Sequence, residues 1–151
     1  MDWMLMPLRR YAEFSGRSRR KEYWMYVLLM IIVGVVIGLI EATLELTGMI
    51  GPYGPLSGLF GLATFIPNIA VTIRRLHDTN RSGWWMLVGV VPYVAMVAAV
   101  VSGNIALVGI LGFVALAGMI VLLVFVLLDG TKGPNKYGED PKGGPSSEVF
   151  A

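Results

Sequence analysis

Four stretches of this chain carry no charged residue and are apolar all the way around a helix: Trp24 to Ile40, Leu56 to Ile73, Trp84 to Val101, and Ile105 to Leu128. A helix needs about 20 such residues to cross a hydrocarbon core about 30 Å thick, and all four reach or approach that length. A soluble helix would keep a polar stripe, and a membrane barrel would show shorter strands of alternating polarity. The sequence therefore predicts an all-α polytopic membrane protein with four transmembrane helices forming a bundle. Composition agrees: 56% of residues are apolar and 15% charged, against about 45–50% and 25% in soluble domains. The length suits a single domain over residues 1–151.

A cleaved signal peptide is the rival reading of the first stretch. Six Lys or Arg lie in the preceding 23 residues, the apolar run is longer than a signal core, and "LIEATLEL" offers no A-x-A site, all of which argue against it. The chain has no cysteine, which excludes disulfides and thiolate metal sites.

If the four stretches alternate in direction, residues 1–23, 74–83 and 129–151 share one side of the membrane, and residues 41–55 and 102–104 the other. All twelve Lys and Arg fall in the first group, while the second holds only Glu41 and Glu45. The positive-inside rule makes the cationic side cytoplasmic, so both termini are expected there. Tyr23, Trp24 and Tyr26 at the first border, and Trp84 and Trp85 at the third, fit an aromatic belt at headgroup level.

The connections have their own signals. "MDWMLMPLRRYAEF" places Met4, Leu8 and Tyr11 at helical spacing with Arg9, Arg10 and Glu13 elsewhere, which predicts a short interfacial helix in spite of Pro7. The glycines and prolines of "TGMIGPYGPLSG" (47–58) predict that the first spanning helix runs past Glu45 and stops near Gly48. "SGN" (102–104) reads as a tight hairpin, Ser82 or Thr79 as the cap of the third helix, and the last ten residues as mobile. Small residues mark close helix contacts: Gly34 and Gly38 in the first span, Ala95 and Ala99 in the third, and Gly109, Gly112, Ala115 and Gly118 in the fourth. Packing within the chain is the plainer expectation for all of them. In the second span Pro67 removes a backbone donor, and Asn68 needs a hydrogen-bond partner.

The polar signatures gather in "FSGRSRRKEYW" (14–24), "RRLHDTNRSGWW" (74–85) and "DGTKGPNKYGEDP" (129–141), all on the predicted cytoplasmic side. These three stretches, in this order and with four spans, resemble the bacterial integral-membrane family called domain of unknown function 805. The resemblance covers nearly the whole chain and implies a bacterial inner-membrane protein; the family has no settled activity, so it supplies no mechanism. Asn80 stands where the family pattern has Gly, an exchange that a left-handed turn tolerates.

Arginine forks match phosphate geometry. Arg17, Arg19, Arg20, Arg74, Arg75 and Arg81 therefore form a candidate site for an anionic lipid headgroup or a partner protein, beside the plainer role of cations that set topology. Glu22, His77, Asp78, Asn135 and Tyr137 among them point to an ordered polar cluster rather than bare charge. His77 beside Asp78 also suggests general acid–base work on a lipid phosphate, although a structural hydrogen-bonding hub is the simpler reading. With one His and no Cys, a metal site of ordinary ligand count would have to depend on scattered carboxylates, and no cofactor is implied.

Other chemistry finds less support. Ser57 in "GPLSG" lacks the G-x-S-G pattern of rhomboid-type proteases and lies on the side opposite the sole His. Glu41 and Glu45 read as two wetted, mutually repelling carboxylates. The spans contain no ionisable group of the kind that ion-coupled carriers use. "GTKGPNKYG" lacks the ending of a phosphate loop, and the pI near 9.0 reflects charge pinned to a bilayer face rather than nucleic-acid binding. The expectation is a non-enzymatic inner-membrane module whose cytoplasmic arginine-rich face binds anionic lipid or docks a protein. The alternatives are a small enzyme acting on lipid phosphates, or an oligomeric channel or carrier around Pro67 and Asn68.

Overall fold

The computed structural model describes residues 2–48 and 54–143. Among these the chain is helical, with no strand: α1 (Asp2–Arg9), α2 (Arg20–Thr43), α3 (Pro55–Asp78), a 3-10 turn (Gly83–Met86) continuing into α4 (Leu87–Val101), and α5 (Ile105–Leu127). Arg20–Thr43, Pro55–Asp78, Gly83–Val101 and Ile105–Leu127 are long and apolar enough to cross a membrane.

Helices α2 and α3 outrun the apolar stretches at their polar ends, by the Arg20–Tyr23 turn in α2 and by Arg74–Asp78 in α3. Backbone hydrogen bonding continues as readily through Arg, Lys and Glu as through Leu, so hydropathy marks the membrane-facing part and not the helix end. The other end of α2 falls short of expectation. The helix closes at Thr43, where Glu45 adopts φ +55° and Leu46 N–H donates to the Glu41 carbonyl (2.9 Å), a Schellman ending that precedes Gly48. Residues 49–53 of the predicted Gly/Pro turn, and 144–151 of the tail expected to be mobile, lie outside the described residues.

By their contacts the described residues form two compact units. The first holds residues 2–14, α2 from Lys21, and α3 as far as Val71. Here Glu41 is buried rather than wetted, only 1% exposed. Its carboxylate accepts the N–H (2.9 Å) and hydroxyl of Ser57 in the first turn of α3. One helix thus supplies the anionic cap of another, satisfying donors that a helix N-terminus leaves orphaned and placing negative charge at its positive end. A Cβ at Gly54 would collide with that carboxylate. Midway along α3, Pro67 cannot donate to the Ala63 carbonyl, and the Tyr11 hydroxyl donates to it instead (2.6 Å), so the N-terminal segment repairs the gap.

The second unit holds residues 15–20, α3 from Thr72, α4, α5 and the tail. Helices α4 and α5 form a hairpin closed by Gly103 at φ +71°, with the Asn104 side chain accepting from Leu107 N–H (3.2 Å) at the start of α5. The two backbones touch at Gly118, where a Cβ would strike the Val88 carbonyl and lie 3.1 Å from the Gly89 Cα. Ala99 and Ala115 are buried as predicted for small residues in a helix contact. Gly34 and Gly38 depart from that expectation. A Cβ at either meets nothing within 4 Å among the described residues, so the G-x-x-x-G of α2 is not consumed by packing within the unit.

Candidate functional site

The carboxyl end of α3 organises the second unit's polar cluster. The helix passes through Arg74, Arg75 and His77 and stops after Asp78 because Asn80 takes φ +58°, a left-handed turn that Asn tolerates. Asn80 N–H donates to the His77 carbonyl (3.0 Å) and Arg81 N–H to the Leu76 carbonyl (2.9 Å). Thr79 caps nothing downstream; its hydroxyl donates back to Leu76 (3.0 Å), and Ser82 caps the 3-10 turn by accepting from Trp84 N–H (3.4 Å).

A helix end leaves carbonyls without intrahelical donors, and burying them demands substitutes. Two distant segments supply these. Ser18 N–H donates to the Arg74 carbonyl (3.0 Å), Thr131 N–H to that of Asp78 (2.9 Å), and the Asn135 amide to that of His77 (3.0 Å). Asn135 also donates to the Thr131 hydroxyl (2.9 Å) and accepts from Tyr137 N–H (2.8 Å), which sets the turn closed by Gly138 at φ +135°.

Into this scaffold the arginines insert from within. Arg17 donates to Asp78 (3.0 Å) and to the carbonyls of Thr131 (2.6 Å) and Gly133 (2.7 Å). Arg75 donates to the other Asp78 oxygen, to Ser18, and to the Val126 (3.1 Å) and Leu128 carbonyls at the end of α5. A guanidinium at a helix C-terminus meets both orphan acceptors and the negative end of the macrodipole. Asp78 is thus the shared counter-charge of two buried arginines, and a Cβ at Gly130 would strike its carboxylate. Arg74 is wholly buried as well.

His77 and Asp78, adjacent in sequence, diverge in space. The His77 Nδ1–H donates to the Gly16 carbonyl (3.2 Å), and the ring stacks on Tyr137 at 3.8 Å with 4° between planes. Asp78 faces the arginines and does not orient the imidazole. Arg81 lays its guanidinium 4.0 Å from the Phe125 ring centroid, and Trp85 meets that ring edge-on at 5.1 Å. Arg20 pairs with Asp129 (3.2 Å) at the surface, Arg19 is half-buried, and Glu22, buried, belongs to the first unit within Coulomb range of Arg10.

The structure therefore brings together Arg17, Arg75, His77, Asp78, Asn135 and Tyr137, with Arg17, Arg75 and Asp78 buried as a clasp and the other three half-buried around it. Residues that the sequence did not single out complete it: Ser18, Thr131, Gly130, Gly133 and Asp140. Most of them act through backbone groups, which leave no compositional trace. Asp140 accepts Gly133 N–H (2.9 Å) and Lys142 N–H (2.8 Å), and these bonds hold its carboxyl below the usual aspartate range. Hydrogen bonding to Lys142, with the charges of Lys142 and Arg20, does the same for Asp129.

Because the folded-state value of Asp140 is depressed, its contribution is complete above the ordinary aspartate value of about 4 and is lost as pH falls through the lower folded value. Hydrogen-exchange protection of the Gly133 and Lys142 amides should hold from neutral pH to about pH 4 and fall below it. In Asp140→Ala that protection should be absent at every pH; retained protection would show that the carboxylate does not hold the loop.

Residues 11–139 match the model of the family described as protein of unknown function DUF805. The chain is 45% identical over 144 residues to "Inner membrane protein YhaI" of Escherichia coli (strain K12), covering 95% of this chain and 98% of that protein. It is 38% identical over 142 residues to "Inner membrane protein YhaH" of the same strain, covering 94% and 98%. It is 30% identical over 135 residues to "Uncharacterized protein YiiR", covering 84% of each. No solved structure matches the chain.

Proposed function

The chain belongs to the DUF805 family of proteins of unknown function, and on that footing we propose that it is a non-enzymatic inner-membrane module whose cytoplasmic face holds an anionic phospholipid. Both termini lie in the cytoplasm in this reading, as the charge split requires. The buried clasp of Arg17, Arg75 and Asp78 serves as the scaffold, and the headgroup is held by the cations left outside it.

One observation carries the proposal. Arg81, half-buried over Phe125, adjoins a cleft of about 330 Å³ lined by Ser82, Trp84, Trp85 and Val88, with Trp84 77% exposed. Arginine has five donors and here gives one to the Thr79 carbonyl (3.2 Å). A phosphate takes the remaining fork, the Ser82 hydroxyl lies beside it, and the indoles sit where glycerol and first methylenes belong. Arg20, its side chain 47% exposed, adds a second cation on the same unit.

The test is native mass spectrometry of the full chain released from vesicles of phosphatidylethanolamine and phosphatidylglycerol. Each cation near an anionic surface contributes about 1 kcal/mol, so the Arg20→Gln/Arg81→Gln protein should retain phosphatidylglycerol roughly thirtyfold less well, with ethanolamine lipid unaffected. The difference should shrink with added salt. Equal retention by the variant would overturn the proposal.

A further inference from the structure

The bond between the Tyr11 hydroxyl and the Ala63 carbonyl fixes the depth of the N-terminal segment. Ala63 lies eight residues into the membrane-length helix Pro55–Asp78 and fifteen before its polar end. At 1.5 Å per residue these are about 12 Å and about 22 Å, so Ala63 sits in the middle of a hydrocarbon core about 30 Å thick. The start of α1 is at a different level. The Trp3 ring centroid lies 5.8 Å from the Lys21 ammonium in the first turn of α2. Glu41, near the other end of α2, caps the first turn of α3, so Lys21 is level with the later turns of α3. Residues 3–11 therefore descend from headgroup level to mid-span, and residues 12–19 climb back to the start of α2. A helix lying in the interface would do neither.

The surface of this turn is mixed. Leu5, Tyr11 and Phe14 are 41–43% exposed, which suits acyl chains. Between them Arg10 donates twice to Glu13, at 2.7 Å each, and the two side chains remain 29% and 44% exposed. The pair uses two of the five guanidinium donors. What is left of both groups faces outward at a depth where hydrocarbon supplies neither donor nor acceptor. A second observation points the same way. The Tyr26 hydroxyl on α2, within Coulomb range of Tyr11, is buried and finds no hydrogen-bond partner among the described residues. Charged side chains persist at such depth where the leaflet thins and water enters, and a buried polar group with room beside it is met by water.

We propose that residues 2–14 form a re-entrant turn that thins the leaflet it enters, drawing water and lipid phosphate down to the Arg10–Glu13 pair. This surface belongs to the first unit only and does not depend on the headgroup site at Arg81.

The test uses the full chain in phosphatidylethanolamine/phosphatidylglycerol vesicles. The chain has no cysteine, so Ala12→Cys and Leu62→Cys carry single labels at two exposed positions, one on the turn and one on α3 beside Ala63. Nitroxides on both at once should show dipolar broadening, which places them at one depth. In deuterated water the spin-echo modulation from deuterium should nevertheless be several-fold stronger at residue 12 than at residue 62. A fluorophore at residue 12, and not at 62, should be quenched by lipid carrying a nitroxide on its headgroup. Arg10→Met/Glu13→Leu should lower the deuterium signal at residue 12 to that at residue 62. Equal deuterium signals at the two positions, weak or strong, would overturn the proposal. So would absent dipolar broadening, absent headgroup quenching at residue 12, or a deuterium signal unchanged by the double substitution.

Discussion

Asp78→Ala protein should accumulate to a small fraction of the normal level, and what can be purified in detergent should melt on the order of 10 °C lower. The substitution leaves Arg17 and Arg75 buried without their common acceptor. Removing one partner of a buried ion pair costs about 3–5 kcal/mol, because the remaining charge keeps its desolvation penalty. Here two guanidinia lose it at once. Asp78→Asn keeps the shape and one of the two acceptor oxygens but turns an NH2 donor toward the other guanidinium, so it should fall between. Asp129→Ala is the control: its carboxylate, 68% exposed, forms its ion pairs with the surface cations Arg20 and Lys142, and its loss should cost less than about 1 kcal/mol. Equal melting of the Asp78→Ala and Asp129→Ala proteins would show that the clasp contributes no more than a surface pair.

Gly118→Ala produces the second large effect, through volume instead of charge. The added methyl lands on the Val88 carbonyl, a backbone atom that no rotamer change can move. Helices α4 and α5 must separate, and overpacking of this kind costs about 1–3 kcal/mol or more. The same exchange at Gly109 on the same helix, where nothing lies within 4 Å, should stabilise by up to about 1 kcal/mol, since alanine is the better helix former. Thermal unfolding in one detergent separates the two; a Gly118→Ala protein as stable as Gly109→Ala would mean that the helices do not meet there.

The contrast between these glycines shows where sequence reasoning stops. Spacing nominated Gly34, Gly38, Gly109, Gly112 and Gly118 alike, yet only Gly118 of these meets another backbone in the structure. A three- or four-residue interval marks a face of a helix without saying what lies opposite. The same holds for Glu41, which reads as a wetted carboxylate because it follows an apolar run, and which is buried because α3 begins beside it. Asn80 was more legible: a left-handed position accepts very few residue types, so the demand is local and survives any tertiary arrangement.

The arginines present the sharpest case. Charge and phosphate geometry assign Arg17, Arg74 and Arg75 to a binding face, and the structure turns all three inward. Their clasp partners are largely main-chain carbonyls at the ends of α3 and α5, groups that every residue possesses.

What the sequence alone determined is the number and placement of the membrane-length helices. Burial of uncharged surface in hydrocarbon depends on composition along each segment and on nothing distant. What only the tertiary structure decided is which cations are buried and which stay exposed. Two helix ends with orphan carbonyls, buried together, require donors, and the chain spends its best arginines on that internal debt before any are left for the outside.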